Sequence, residues 1–209
     1  MEKSQDYQKF EIAVKKTLEL EGYRCGNIVF GHHLGESFKT NSFGITDFTW
    51  WKFLISKAKT HNPKISLEDI IKLKKEIQNK IDNNLYSQKE ILEISQQIIY
   101  QEFWQNQDFR SFQAPIAFLF FQLNYNSSQL KSDVMNQLSR DLPNIMIKLK
   151  NNQELSQAEM SELINQFGVI SKYFYKNCTD PQLYWIFETR INQSVEHANN
   201  LIINSGNKF

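Results

Sequence analysis

Glu21 closes a stripe of apolar residues, Tyr7, Phe10, Val14 and Leu18, that recurs at three- and four-residue steps, and Gly22 follows as a natural helix stop. A helix-borne glutamate among aromatic residues is the kind of group whose pKa burial raises, as proton donation to a glycosidic oxygen requires. A glutamate just before a helix-ending glycine is ordinarily a solvated last-turn residue, however, so type and place alone favour no chemistry. Downstream, Gly26, Gly31, Gly35 and Gly44 punctuate a polar stretch that holds His32, His33 and Glu36 and ends in Thr40-Asn41-Ser42-Phe43-Gly44-Ile45-Thr46. Adjacent histidines on a loop seldom face one ion, His61 and His197 are remote in sequence, and Cys25 and Cys178 lack zinc spacing. No metal and no cofactor is expected.

The elements that must position these residues are mostly helices. The spacing predicts a first helix over residues 5 to 21, then a loop or small β-hairpin over 23 to 46, with β-capable pieces such as Asn27-Ile28-Val29-Phe30. Thr46 caps a helix to about residue 60. Capping-box pairs Ser66/Asp69, Ser87/Glu90 and Ser156/Glu159 open helices to about residues 81, 105 and 177. Pro115 suits the first turn of a helix to about residue 124, Ser128 or Ser132 starts one to about Lys150, and Pro181 starts the last. The reading is a mainly α fold of about eight helices with one small non-helical insert after the first. No long linker forces a cut, and the best candidate boundary lies at Asn151 to Glu154.

With 209 residues, 41% of them apolar and 13% aromatic, the chain is long enough to bury a sizeable core. Most of its 16 Phe, 8 Tyr and 4 Trp belong there, although aromatic rings also pack against the apolar faces of sugars. A net charge of +1 gives no broad field for polyanions, so nucleic acid is not an expected partner. No apolar run approaches the roughly 20 residues that span a bilayer, and the polar start Met-Glu-Lys-Ser-Gln-Asp-Tyr is no signal peptide. Synthesis in the cytoplasm as a soluble protein is the expectation.

The segment from Phe10-Glu11-Ile12-Ala13-Val14 to Leu20-Glu21-Gly22-Tyr23 resembles the opening of glycoside hydrolase family 108, the N-acetylmuramidases, whose first helix ends in Glu-Gly-Gly-Tyr. Thr40-Asn41-Ser42-Phe43-Gly44-Ile45-Thr46 is similar to that family's Thr-Asn-Phe-Gly-Ile-Thr with one residue inserted. Ile99-Tyr100-Gln101-Glu102-Phe103-Trp104 resembles its Ile-Tyr-x-x-x-Tyr-Trp helix, and Ala114-Pro115-Ile116-Ala117 through Leu119-Phe120 to Asn126 its helix ending in Phe-Asp-x-x-x-x-Asn. Phe187-Glu188-Thr189-Arg190-Ile191-Asn192 is faintly similar to the Gly-Trp-Leu-Asn-Arg-Val of the peptidoglycan-binding segment that accompanies the family. The order and spacing hold over residues 10 to 126, while each motif alone is weak.

The resemblance implies a lysozyme-like α+β fold over residues 1 to 150, with residues 151 to 209 as a C-terminal helical segment packed on it that could bind the wall. It implies cleavage of peptidoglycan glycan strands with Glu21 as general acid, and substrate-binding roles for Asn41, Gly44, Tyr100, Trp104, Gln122 and Asn126. The sequence departs from the family where the second carboxylate is expected: that position is Phe30, the loop is longer, and the aspartate before the family's asparagine is Gln122. Two readings compete. Either the longer loop supplies a replacement, with Glu36 as the nearest carboxylate and Thr40 holding a water that His32 or His33 orients, or catalysis is lost and a saccharide groove remains. Export through a lysis lesion or secretion machinery, with an immunity or inhibitor protein as a further partner, would bring the chain to the wall. A helical adaptor or effector that uses the fold as a scaffold is the third alternative.

Overall fold

The computed structural model describes residues 4–20, 31–32, 39–41, 45–178 and 181–206. Among them the chain is mainly α, with nine α-helices. They are α1 (Gln5–Leu20), α2 (Asp47–His61), α3 (Leu67–Asp82), α4 (Gln88–Ile99), α5 (Ala114–Asn126), α6 (Ser128–Asp141), α7 (Pro143–Lys150), α8 (Gln157–Cys178) and α9 (Pro181–Gly206). A π-helical turn, Tyr100–Trp104, continues α4, and a 3-10 turn, Asp108–Ser111, precedes α5. The described part of the insert after α1 holds only β1 (Gly31–His32) and β2 (Lys39–Thr40), paired antiparallel with Gly31 opposite Thr40. Two residues per strand fall far short of an ordinary hairpin, which needs longer strands and a packed face to stand as an element. The expected β-hairpin insert is therefore not present as such among the described residues.

The capping residues fix the helix starts. Thr46 Oγ1 accepts from the Thr49 amide at 3.1 Å, and Ser66 Oγ from that of Asp69 at 3.1 Å. Ser87 and Glu90 exchange both bonds of a capping box, as do Ser156 and Glu159. The single helix expected up to Lys150 is two, because Pro143 opens α7 after Leu142 leaves helical geometry. Inside a continuous helix its ring would clash with the preceding turn and one hydrogen bond would be lost. That break makes nine helices of the expected eight.

The chain forms two compact units, Tyr23–Glu102 and the remainder, Met1–Gly22 with Phe103–Phe209. The helices beyond residue 151 belong to the same unit as α5 to α7. In that unit α5 is apolar on every face and buried from Pro115 to Asn124, as expected of a helix enclosed by others. It packs against α1, α6, α8 and α9. The core is a chain of edge-to-face rings: Phe10 on Trp104 (5.7 Å) and Phe121 (6.1 Å), Trp104 on Phe109 (5.6 Å), and Phe120 on Phe112 and Phe167. In the smaller unit α2 packs on α3, and Trp50 is fully buried with its ring 5.4 Å from Tyr86.

Candidate functional site

α1 runs to Leu20 and is buried along Phe10, Ala13, Val14, Thr17, Leu18 and Leu20, so the amphipathic stripe that leads to Glu21 is real and anchored. Glu21, Glu36 and Gly44 themselves lie outside the described residues, as do Phe30, His33 and Cys25. Thr40 ends β2, and its side chain lies outside the described residues too.

Asn41 is the best-defined member of the Thr-Asn segment. It is 1% exposed, and its Nδ2 donates to Ser95 Oγ of α4 at 3.0 Å. Its Oδ1 accepts from the Ile45 amide at 3.1 Å, while its own amide donates to the Ile45 carbonyl at 2.9 Å. A buried asparagine that satisfies both ends of its amide in this way joins Ile45 to Ser95 of α4. Its part in any site is to position the neighbouring backbone. The amide is too buried to touch a substrate.

Trp104, expected to line a substrate groove, is fully buried. Its Nε1 donates to Asp6 Oδ1 at 3.1 Å, and its ring packs among Phe10, Phe109 and Phe121. No face of the indole is left for a sugar. It is a core residue, because the π-helical turn rotates its side chain inward and large apolar rings bury wherever packing allows. Tyr100, at the start of the same turn, is half-buried.

Gln122 and Asn126 come together on the last turns of α5, where Asn126 Nδ2 donates to the Gln122 carbonyl at 3.0 Å. With Phe167, Tyr175, Phe187 and Arg190 they line a shallow depression formed by α5, α8 and α9. Tyr175 and Phe187 stack at 4.6 Å with an interplanar angle of 16°, and the Arg190 guanidinium sits 5.8 Å from the Phe187 ring centre. Amides, a guanidinium and a phenol suit hydroxyl, acetamido or carboxylate groups. Among the described residues no carboxylate lines this depression. Tyr175 escaped the sequence reading, whereas Phe187 and Arg190 carried a signal in the faint similarity of residues 187 to 192 to a wall-binding segment.

Two further hollows open in the larger unit. One of about 430 Å³ lies between the start of α1, the N-terminus of α5 and the α7–α8 connection, with Lys9, Gln113 and Glu154 on its walls. Lys9 Nζ donates to the carbonyls of Arg110 and Phe112, and burial holds its pKa below the ordinary lysine value against the pull of Asp6. The other, of about 330 Å³, lies between the end of α1 and α9, lined by Lys16, Glu19, Leu20, Glu196 and His197. Burial, with Lys16 second, pushes the His197 pKa down, and its ring meets Phe118 edge-on at 5.0 Å. Among the described residues no three His, Cys, Asp or Glu side chains are grouped to hold a metal ion, and no helix is long and apolar enough to cross a membrane.

No known family, no curated protein and no solved structure matches this chain.

Proposed function

We propose that this chain is a lysozyme-like hydrolase that cuts the glycan strands of bacterial cell wall beside N-acetylmuramic acid. Glu21 acts as the general acid, and Glu36, or a water held by Thr40, completes the reaction. What supports the reading is α1, whose inner face is buried from Phe10 to Leu20, the residue that precedes Glu21 in the sequence. A proton donor needs such a rigid mount, since misplacement by an ångström costs orders of magnitude in rate. Asn41 holds the Thr40 backbone by its bond to Ser95, and Gly44, Tyr100, Gln122 and Asn126 serve as the saccharide-binding residues. The chain reaches peptidoglycan after export by a lysis lesion or secretion machinery, and it needs no cofactor.

A binding role without turnover is favoured by one observation, the lining of the α5–α8–α9 depression by amides, aromatic rings and Arg190 without a carboxylate among the described residues. One experiment separates the two. Wild type and Glu21→Gln are incubated with purified bacterial sacculi, and soluble fragments and bound protein are both measured. Release of muropeptides by wild type and its loss in the variant is the expected result. Binding without release from wild type rejects the enzyme and leaves the wall-binding module.

A further inference from the structure

The α2–α3 hairpin carries large apolar side chains on its outside. Phe48 is 56% exposed, Leu67 73% and Ile71 50%, while the inner faces of α2 and α3 bury Trp50, Phe53, Ile55, Ile77 and Ile81. These exposed residues are aligned. Leu67, Ile71 and Lys74 follow one another at steps of four and three, which places them on one stripe of α3. The Lys74 ammonium lies 4.0 Å over the Trp51 ring, and Phe48 meets Trp51 edge-on at 4.9 Å. The α3 stripe therefore runs beside Trp51 and Phe48 of α2, and together they form one apolar ridge along two helices that pack side by side.

The hairpin that carries this ridge is basic in net charge. Residues 47 to 82 hold eight Lys against five Asp and Glu, a net +3, whereas the whole chain is +1 and the rest therefore −2. Between Asp47 and Glu68 there is no carboxylate at all, while Lys52, Lys57, Lys59 and Lys64 fall in that stretch along with His61. A basic two-helix hairpin with Phe, Trp, Leu and Ile along one ridge and Lys74 beside it has the make-up of elements that lie in the plane of a membrane interface. Lysine stems extend beside such a ridge with the ammonium groups in the headgroup layer, and indole rings favour the same depth. A neutral or cationic partner would leave the excess of lysines unmatched.

We propose that the α2–α3 face docks this protein on the surface of an anionic phospholipid bilayer, with Phe48, Trp51, Leu67 and Ile71 entering the headgroup boundary and lysines of the hairpin meeting lipid phosphates. The binding is peripheral, and it stands apart from the wall-cutting reading, since it needs no glycan.

The test uses the full chain and vesicles of two compositions, phosphatidylcholine alone and phosphatidylcholine with an equal part of phosphatidylglycerol. Co-sedimentation with the anionic vesicles, weakened by raising salt from 0.05 to 0.5 M and at least about tenfold stronger than with neutral ones, is the expected result. The paired change Phe48→Ser and Ile71→Ser touches exposed positions, so helical circular dichroism is retained while binding drops about tenfold or more. Lys74→Glu lowers binding to anionic vesicles alone. Absence of vesicle binding by wild type overturns the proposal, as does binding that the paired change leaves intact. So does a concentration-dependent dimer in sedimentation velocity that the paired change abolishes while vesicles are ignored, since the ridge would then serve a second copy of the chain.

Discussion

The two compact units solve the same problem with different materials. The unit built on α1 and α5 to α9 is held by interlocked rings, in which Phe10, Phe109 and Phe121 each pack on Trp104 and α5 is buried from Pro115 to Asn124. Among the described residues of the unit 23 to 102, Trp50 and Phe53 are the buried rings, the Asn41 amide bonds Ser95 and Ile45, and Phe48, Leu67 and Ile71 stand in solvent. Area removed from water stabilises without direction, whereas a buried amide specifies one loop geometry and is costly if left unmet. The ring-packed unit is built to hold α1 still. The smaller one is built to present surface.

If that contrast holds, the largest single loss comes from Trp104→Ala, which removes a fully buried ring and its bond to Asp6: about 3–5 kcal/mol of unfolding free energy in urea or thermal denaturation. Phe48→Ser in the same assay should change stability by less than about 0.5 kcal/mol, because the position is exposed. Equal losses at the two sites would break the comparison.

Asn41→Ala should cost about 1–3 kcal/mol by leaving Ser95 and the Ile45 amide without that partner. Faster amide exchange at Ile45, with α5 amides unaffected, would place the loss in the smaller unit alone. Gly168→Ala sharpens the view of the ring-packed unit, since a Cβ there would stand 2.9 Å from Val195 Cγ2 where α8 meets α9. The helix-propensity gain of up to about 1 kcal/mol is outweighed by overpacking of about 1–3 kcal/mol, for a net loss near 1 kcal/mol by calorimetry.

The smallest effects are pH slopes. His197 is held below its ordinary pKa in the fold, chiefly by burial, so the unfolded chain binds its proton more readily. The stability this gives is complete above about pH 6.5 and is lost as pH falls from there through the lower folded value. His197→Gln should flatten the melting temperature over that range. Glu159 behaves in the opposite chemical sense with the same outcome in acid: its bond to Lys148, then those from the Ser156 amide and hydroxyl, lower it to about 2. Its contribution is present above the unfolded carboxylate value near 4.5 and disappears as pH falls through about 2. Glu159→Gln should remove that part of the acid transition, read by circular dichroism.

The helix starts were legible because their causes are local. Ser66, Ser87 and Ser156 each sit three residues before a carboxylate, and Pro115 and Pro181 tolerate only a first turn, so a short window of sequence determines each start. The break before α7 was hidden, because the apolar period runs through Pro143 without interruption and only the Leu142 backbone reveals it. In the candidate site the sequence determined which residues could do chemistry: a glutamate after an apolar stripe, a Thr-Asn segment, and amides at the end of an apolar helix. Tertiary packing decided which of them meet solvent. The resemblance implied substrate-binding roles for Trp104 and Asn41, yet one became the centre of a ring cluster and the other a buried brace. Tyr175 and Arg190, from helices far along the chain, came to stand beside Gln122 and Asn126. Burial depends on what packs from elsewhere in the chain, and no local pattern carries that.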